Sequence, residues 1–411
     1  MLQAGIFSET SKLETVIIHQ PGAEVENMTP ETAERALYSD ILNLPIAQQE
    51  YIEFKGVLQK VAEVIEVKDL LSKAIKNPGA RGEIIDNLVY YSQQPQLRVE
   101  FNQKSDEELI VSLIEGVPMP QLSLSNFLRN DKFAINPLHN MFFMRDASFT
   151  IGQNVFISSM ASAIRKPEAR MMEIIYKNTL APGHNVVYLN ELESELITIE
   201  GGDVLVVSPE ILMVGIGLRT SPEAVDTLIR KVATYQPLKY VLVQELPRKP
   251  ESFIHLDMVF TFLSDHECMV YRPVIIDESH YHSILIKVEN GETKEITYIR
   301  DLIDGLKILG FDYKPIFCGG GDKMFQEREQ WHSGANFFAF APGKIMGYAR
   351  NIHTADALNR AGYHILTAED VMNGLVTIEK HEKCLVTIDG SELARGGGGA
   401  RCMTMPLRRS F

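Results

Sequence analysis

Residues Glu200–Ile216 read EGGDVLVVSPEILMVGI, and this stretch decides the fold because its pattern recurs along the chain. Two apolar runs flank the turn residues Ser208–Glu210, and a pair of such runs around turn residues predicts a β-hairpin. A polar or acidic cluster precedes the first run. Three further copies, RDASFTIGQNVFISS, HLDMVFTFLSDHECMVY and GANFFAFAPGKIMGYARN, start at Arg145, His255 and Gly334.

The two ends of the chain supply the parts of a fifth copy. KLETVIIHQPG lies near the N-terminus and ARCMTMPL near the C-terminus. Amphipathic stretches such as Pro222–Tyr235 and Ala355–Ala361 separate the hairpins and predict helices. A ββα-type unit that recurs about every 50 to 80 residues indicates radial or stacked repetition of one module. The sequence therefore predicts an α/β fold whose two ends meet in one module and close a ring.

One segment, from about Asp69 to Arg129, lacks the hairpin pattern. Its stretches GARGEIIDNLVYYSQQ and SDEELIVSLIEG carry apolar residues at helical spacing, and the second opens with a capping box formed by Ser105 and Glu108. We predict a helical insertion domain at 69–129 and a main domain made of 1–68 and 130–411. Periodicity alone also fits helices that belong to the main core.

The composition is that of a globular protein that repels polyanions. The chain has 411 residues, 45% hydrophobic residues and a formal net charge of -14. We therefore expect no binding to nucleic acid or to an anionic membrane. A cationic or zwitterionic small substrate suits this charge better. The N-terminus lacks a signal pattern, and no apolar stretch approaches the roughly 20 residues of a membrane span.

The cysteines are scattered along the chain and form no C-x-x-C pair. They are Cys268, Cys318, Cys384 and Cys402. This spacing argues against a structural zinc site and against a disulfide framework. We therefore expect a reducing compartment and a cytoplasmic location.

Cys402 is the candidate nucleophile. It follows four glycines and a cation, Arg401. Glycine permits close approach of the backbone to a ligand, and a neighbouring cation stabilises a thiolate and lowers the pKa of the thiol. The alternative is a flexible C-terminal tail with an incidental thiol, because single-cysteine signatures do not transfer between families.

A histidine and a carboxylate lie close together in the stretch FIHLDMVFTF. Its apolar residues alternate with His255, Asp257 and Thr261, which predicts a strand that projects His255 and Asp257 to the same side. A histidine beside a carboxylate is a frequent general acid and base. A hydrogen-bonded structural histidine is the alternative.

Four acids, Asp146, Glu200, Asp203 and Asp257, would form a carboxylate-rich pocket if they met beside Cys402. Such a pocket favours a cation, because clustered buried acids raise one another's pKa until a positive group enters. A planar guanidinium satisfies two carboxylates through paired hydrogen bonds. Metal binding is the competing explanation. Ligands of Mg²⁺ or Ca²⁺ usually lie on one dense loop, whereas these acids lie in separate modules, so we expect no metal.

Two arginines repeat with the modules. Arg165 follows Asp146 by nineteen residues, and Arg219 follows Glu200 by nineteen residues. Each of these modules therefore offers an acid at its start and a base at its end. The alternative is that both arginines are solvated and form surface ion pairs worth under about 1 kcal/mol.

Several motifs in order give the chain a specific likeness. They are HQPG, ERALYSDIL, NPLHNMFFMRDASF, IEGGDVLVVSPEILMVGIGLRTS, HLDMVFTF, CGGGDKMFQEREQWHSGANFFAFAPG and RCMTMPL. With them the chain resembles the arginine deiminases of the guanidino-group-modifying, or amidinotransferase, superfamily over nearly its whole length. The resemblance implies a five-module propeller of ββαβ units with pseudo-fivefold symmetry and an inserted helical domain.

The resemblance also implies the catalytic residues. It makes Cys402 the nucleophile and His255 the acid and base, with Glu200 orienting the histidine. Asp146 and Asp257 would grip the substrate guanidinium.

The remaining substrate contacts are implied in the same way. Arg165 and Arg219 fall at positions that bind the α-carboxylate, with Asn140 alongside and Phe143 packed on the aliphatic stem. Asp203 is expected to be a further substrate-binding acid.

The implied reaction is hydrolysis of L-arginine to L-citrulline and ammonia through a covalent amidino-cysteine intermediate. Its partners are the small substrate and water, it needs no cofactor or metal, and family members are often homo-oligomers. The runner-up acts on another guanidine, such as agmatine or a methylated arginine, or transfers the amidino group to an amine. Arg165 and Arg219 argue against agmatine, which has no carboxylate. A non-catalytic arginine sensor is the alternative from a different class.

Overall fold

The computed structural model describes residues 1–35, 38, 40–120, 123–128, 132–191, 194–277 and 281–411. Five of the six sheets in these ranges share one core, in which two strands pair antiparallel and a third strand runs parallel to the second. We call these cores units 1 to 5.

Each unit has a first, a second and a third strand, which pair in that order. They are Met405–Arg409, Leu13–Ile18 and Glu63–Glu66 in unit 1; Ser148–Ile151, Asn154–Ile157 and Asn185–Tyr188 in unit 2; Val204–Ser208, Ile211–Ile216 and Tyr240–Glu245 in unit 3; Phe260–Phe262, Glu267–Val270 and Lys314–Phe317 in unit 4; and Phe338–Ala341, Lys344–Tyr348 and Cys384–Ile388 in unit 5.

Extra strands enlarge two of the units. The hairpin of Ser283–Glu289 and Glu292–Ile299 extends the sheet of unit 3, and His364–Thr367 adds to unit 5. The sixth sheet pairs Val117–Pro118 with Phe133–Ile135.

Helices connect the second and third strands of each unit. These crossover helices are Leu44–Val61, Lys166–Thr179, Pro222–Ala233, Leu302–Ile308 and Ile352–Arg360. The other α-helices of the described residues are Ala23–Glu26, Pro30–Arg35, Val67–Ala74, Pro78–Ser92, Leu97–Gln103, Asp106–Ile114, Leu124–Phe127, Met144–Ala147, Arg272–Ile275, Lys323–Trp331 and Ala368–Met372. Among the described helices, none combines the length and apolar character that a bilayer crossing requires.

The crossover helix of unit 3 shows how the sequence sets these elements. Ser221 caps the helix by accepting a hydrogen bond from the Ala224 amide, and Pro222 occupies the first turn. Leu228 and Val232 lie four residues apart on its buried face. Residues of this kind bury one stripe of the helix against the sheet and leave the opposite stripe in water.

The predicted hairpins are confirmed in all four internal copies, and the pairing of the chain ends is confirmed in unit 1. The predicted strand through His255 and Asp257 is wrong. Residues Leu256–Met258 form a 3₁₀-helix, and the strand begins only at Phe260. The turn of 3₁₀-helix, and not a shared strand face, therefore orients His255 and Asp257.

The segment predicted to be helical contains four helices between Val67 and Ile114, including the capping box of Ser105 and Glu108. Its end differs from the prediction, because Val117–Pro118 is a short strand. The expected boundary at Arg129 lies outside the described residues. The helices share one hydrophobic cluster with units 1 and 2, which contains Leu88, Ile17 and Met172 among others.

Candidate active site

The five units contribute to one buried site from equivalent positions, just before their first strands. Asp146, Glu200, His255, Asn336 and Cys402 precede the first strands of units 2, 3, 4, 5 and 1. All five side chains are at least nine-tenths buried. The recurring polar position before each hairpin therefore contributes a buried polar side chain or thiol from every unit.

The imidazole of His255 lies between two carboxylates. Its Nε2 is 2.9 Å from Glu200 Oε2, and its Nδ1 is 3.6 Å from Asp146 Oδ1. Burial alone would lower the pKa of His255, but the negative charges of Asp146 and Glu200 raise it to about 9. Burial raises the pKa of Glu200, but the His255 hydrogen bond and Arg219 outweigh it and hold that pKa at about 2. The imidazole is therefore protonated at neutral pH.

Both repeated arginines are buried, so the interpretation as solvated surface residues is wrong. Arg165 is 3% exposed and Arg219 is 8% exposed. Arg165 Nη1 donates to Asp146 Oδ2 at 2.7 Å, and Arg219 Nη1 lies 3.9 Å from Glu200 Oε1. Each arginine thus faces the acid that precedes it by nineteen residues. We call Asp146, Arg165, Glu200, Arg219 and His255 the imidazole cluster.

The thiol of Cys402 faces a carboxylate. Its Sγ lies 3.8 Å from Asp257 Oδ2, and Arg401 Nη1 donates to the same oxygen at 2.8 Å. The other side of the Arg401 guanidinium binds Glu9 through Nε at 3.2 Å and Nη2 at 3.1 Å. We call Glu9, Asp257, Arg401 and Cys402 the thiol cluster.

The expectation that Arg401 makes Cys402 acidic is wrong. Burial, Asp257 and Asp146 raise the pKa of the thiol well above its ordinary value, and Arg401 offsets this only slightly. The reason is geometric, because the Arg401 guanidinium is occupied by Asp257 and Glu9. Burial also raises the pKa of Asp257. Cys402 is therefore a neutral thiol at neutral pH in this structure.

Asn336 is a site residue that the sequence interpretation missed. Its Oδ1 accepts hydrogen bonds from the backbone amides of Arg401 at 2.9 Å and Cys402 at 3.3 Å. Its Nδ2 donates to the Asp257 carbonyl at 3.0 Å. The available signal was its place before the hairpin of unit 5, where the other units carry an acid, a histidine or the cysteine.

Both oxygens of Asp203 accept hydrogen bonds from neighbouring segments of the protein. One accepts from Thr220 Oγ1 at 2.6 Å, and the other accepts from the Leu256 amide at 2.8 Å. Burial raises the pKa of Asp203 to about 7. Asp203 thus links unit 3 to the residue that follows His255, just before unit 4.

Phe143 lies against the glycine run that precedes Cys402. Asn140 and Phe143 are both 5% exposed, and the Asn140 carbonyl accepts the Phe143 amide at 2.9 Å. A Cβ at Gly398 would lie 2.4 Å from Phe143 Cε1, so this position of the glycine run requires glycine. Arg219 borders a cavity of about 30 Å³ together with Ser252, Trp331 and Gly397.

Asp146, Glu200 and His255 also form the group of possible metal ligands in the described residues, with ligand atoms within 4.8 Å of one another. Arg165 lies 2.7 Å from Asp146 and 3.9 Å from Glu200. Positive side chains thus already compensate these carboxylates, which does not fit a dedicated metal-ion site.

The geometry therefore combines a thiol, a protonated imidazole and carboxylates that can receive a cation. The sequence model of the arginine deiminase family matches residues 34–409. The chain belongs to the arginine deiminase family. Membership assigns it the hydrolysis of L-arginine to L-citrulline and ammonia, and it confirms the resemblance seen in the motifs. An arginine deiminase of Mycoplasma capricolum is 32% identical over 415 residues, which are 98% of this chain and 96% of that protein.

Two solved structures are similar at low identity. One is a DDAH from Pseudomonas aeruginosa complexed with citrulline, at a TM-score of 0.52 and 12% identity, covering 96% of this chain and 99% of that one. The other is the N-terminal domain of ArgZ covalently bound to a reaction intermediate, at a TM-score of 0.54 and 14% identity, covering 96% and 98%. At this identity the likeness shows the fold alone, a mixed α/β fold with several sheets.

Proposed function

We propose that this chain hydrolyses L-arginine through a covalent amidino-cysteine intermediate formed at Cys402. The observation that carries the proposal is the placement of Cys402 Sγ 3.8 Å from Asp257, in one buried site with an imidazole protonated between Asp146 and Glu200. The ArgZ domain, which has a similar fold, was captured covalently bound to a reaction intermediate. This supports the same type of intermediate here.

The substrate itself generates the nucleophile. In the absence of a cation, Asp257 and Asp146 repel a negative charge on Cys402 and keep the thiol protonated. A guanidinium bound between these carboxylates cancels that repulsion, so the thiol proton passes to water and the thiolate forms beside the electrophilic carbon. Reactivity is thereby limited to the moment when a substrate is bound.

The two half-reactions use one imidazole. Cys402 thiolate attacks the guanidinium carbon, and a C–N bond breaks as His255 donates its proton to the departing nitrogen, which leaves as ammonia. Neutral His255 then takes a proton from water as the oxygen attacks the amidino carbon. The C–S bond breaks, the product oxygen releases its proton to solvent, L-citrulline leaves and the thiolate is restored. These steps use no cofactor or metal.

We assign contacts with the whole substrate to the predicted residues. Asp146 and Asp257 grip the guanidinium, Phe143 packs on the aliphatic stem, and Arg165, Arg219 and Asn140 bind the α-carboxylate. The Arg219 Nε supports this role, because it is buried and has no hydrogen-bond partner among the described residues. Asp203 was predicted to bind substrate. Its hydrogen bonds to Thr220 and Leu256 support an additional structural role in holding the pocket together.

We extend the proposal to the architecture. All five units share the same three-strand core, and unit 1 is built from both ends of the chain. Both observations support a closed five-unit propeller with pseudo-fivefold symmetry. Its main domain comprises 1–68 and 130–411, with 69–129 as the helical insertion. A homo-oligomer would cover exposed apolar side chains such as Tyr90 and Val99. Four free cysteines, one of them catalytic, support a reducing, cytoplasmic location.

The test measures citrulline and ammonium released from L-arginine, with agmatine and Cys402→Ala protein in parallel. Equal amounts of both products from L-arginine, with the rate reduced at least about 10⁴-fold in the variant, are expected. Turnover of agmatine or a methylated arginine instead would assign the site to another guanidine. Binding of L-arginine without turnover by the wild type would overturn the catalytic proposal in favour of a sensor.

A further inference from the structure

Every nitrogen of the Arg165 guanidinium is engaged inside the protein. Nη1 donates to Asp146 Oδ2 at 2.7 Å, and Nε donates to Glu168 Oε2 at 2.9 Å. Nη2 lies 2.9 Å from the same Glu168 oxygen and 3.4 Å from the Phe143 carbonyl. Glu168 is 1% exposed. Arg219 differs, because its Nε has no partner in the described structure and its Nη1 lies 3.9 Å from the Glu200 carboxylate.

The position of Arg165 conflicts with simultaneous binding of a substrate guanidinium at Asp146. Asp146 Oδ2 carries Arg165, whereas Asp146 Oδ1 is buried without a hydrogen-bond partner among the described residues. A guanidinium binds a carboxylate most strongly through two parallel hydrogen bonds. Both oxygens become available to the substrate only when Arg165 leaves.

We propose that Arg165 is an internal competitor that occupies the guanidinium-binding carboxylate of the free protein and moves to the α-carboxylate when L-arginine enters. Glu168 is the positioning residue that holds Arg165 in the pocket during this exchange. The exchange rests on the proposed function, and it makes the pair a determinant of specificity for ligands that carry both a guanidinium and a carboxylate.

The number of charged partners available explains why the site would select L-arginine over agmatine. When L-arginine binds, its guanidinium replaces Arg165 on Asp146, and its carboxylate replaces Asp146 on Arg165, so Asp146 and Arg165 each keep an oppositely charged partner while Arg165 stays on Glu168. Agmatine supplies the first group only, and Arg165 then keeps Glu168 alone. Burial raises the pKa of Glu168 to about 7 despite its contact with Arg165, which makes it a weak sole partner at neutral pH. A buried pair that is broken without replacement is strongly unfavourable.

The direct test is a crystal structure of Cys402→Ala protein with L-arginine bound. We expect Arg165 to contact the ligand carboxylate and Glu168, with Asp146 bound to the ligand guanidinium. Arg165 still within hydrogen-bond distance of Asp146 in that complex would overturn the proposal. This experiment needs no change in the competitor itself.

A binding series tests the selectivity in the Cys402→Ala background by calorimetry. The added change Arg165→Leu with Glu168→Gln removes both charges, so that position 168 carries no unpaired carboxylate and Asp146 is free for the ligand guanidinium. We expect agmatine to bind about tenfold more tightly or better, and L-arginine more weakly. The matched control Arg219→Leu removes a proposed partner of the substrate α-carboxylate that does not touch Asp146. It should therefore weaken the binding of L-arginine and leave the binding of agmatine unchanged. Unchanged or weaker agmatine binding in the first variant would contradict the competitor role.

The positioning role of Glu168 is tested by kinetics of Glu168→Gln alone. The KM for L-arginine should rise about tenfold with little change in kcat, because the variant misplaces a substrate ligand and leaves Cys402 and His255 intact. A fall in kcat accompanied by a lower free energy of unfolding would indicate a purely structural role for Glu168 and would contradict the positioning role. Wild-type turnover of L-arginine, measured first, separates failure of this inference from failure of the proposed function.

Discussion

The imidazole cluster and the thiol cluster lie in the same site but balance their charges in different ways. In the imidazole cluster, acids and bases alternate, so His255 keeps its proton between Asp146 and Glu200. In the thiol cluster, Arg401 is shared by Asp257 and Glu9, and Cys402 faces a carboxylate with no cation to spare. The free protein therefore holds both protons, and the positive charge that the thiol cluster lacks is the one that the substrate brings.

The largest effect is expected from Glu200→Gln, which breaks the alternation in the imidazole cluster. Loss of this negative charge lowers the pKa of His255 from about 9, so kcat at pH 8 should fall about 10²- to 10⁴-fold. The alkaline limb of the kcat profile should move to lower pH. The control Asp203→Asn removes a nearby charge that does not touch the imidazole, and its effect should be clearly smaller. Equal losses of kcat in the two variants would contradict the specific role of Glu200 beside the imidazole.

A second effect concerns the stability of the same cluster. The folded-state pKa of His255 lies above its ordinary value of 6.5. Its protonation therefore stabilises the folded chain fully below pH 6.5, and this contribution is lost as the pH rises through 9. The free-energy difference between wild type and His255→Gln in urea unfolding should shrink over this range by about 3 kcal/mol. A difference that does not vary with pH would contradict the raised pKa.

The smallest expected effect is on the rate at which the Cys402 thiol is alkylated, which tests the thiol cluster. Alkylation of Cys402 by neutral iodoacetamide, followed by mass spectrometry, should be at least about tenfold slower at pH 7 than that of free cysteine. The rate should still be rising at pH 9, because the pKa of the thiol is raised. Cys402→Ala protein reports labelling of the other three cysteines. A plateau below pH 8 would mean that the thiolate exists before substrate arrives.

Local patterns carried most of the fold prediction. The hairpins were predictable because turn residues such as Ser208–Glu210 and the apolar runs beside them are adjacent in sequence. The strand through His255 and Asp257 was not, because alternation of apolar residues does not distinguish a strand from a turn of 3₁₀-helix followed by a shorter strand. Burial of Arg165 and Arg219 was equally hidden, since spacing does not report which side chains face inward.

The site was predictable where a residue type carries chemistry by itself. Cys402 and His255 were of this kind. The partners of Arg401 were not, because Glu9 lies 392 residues away and meets Arg401 only after the ends pair. Asn336 bears no charge and lies in a hairpin that offered no other reactive group, so only its equivalent position among the units marked it.

Unit 1 also fixes the order in which the molecule can acquire its reactivity. Leu13–Ile18 leaves the ribosome early, but its antiparallel partner Met405–Arg409 follows almost four hundred residues later. Cys402 immediately precedes that partner. The acids and His255 are therefore synthesised before the nucleophile, and unit 1 is completed only when the last residues of the chain pair with Leu13–Ile18.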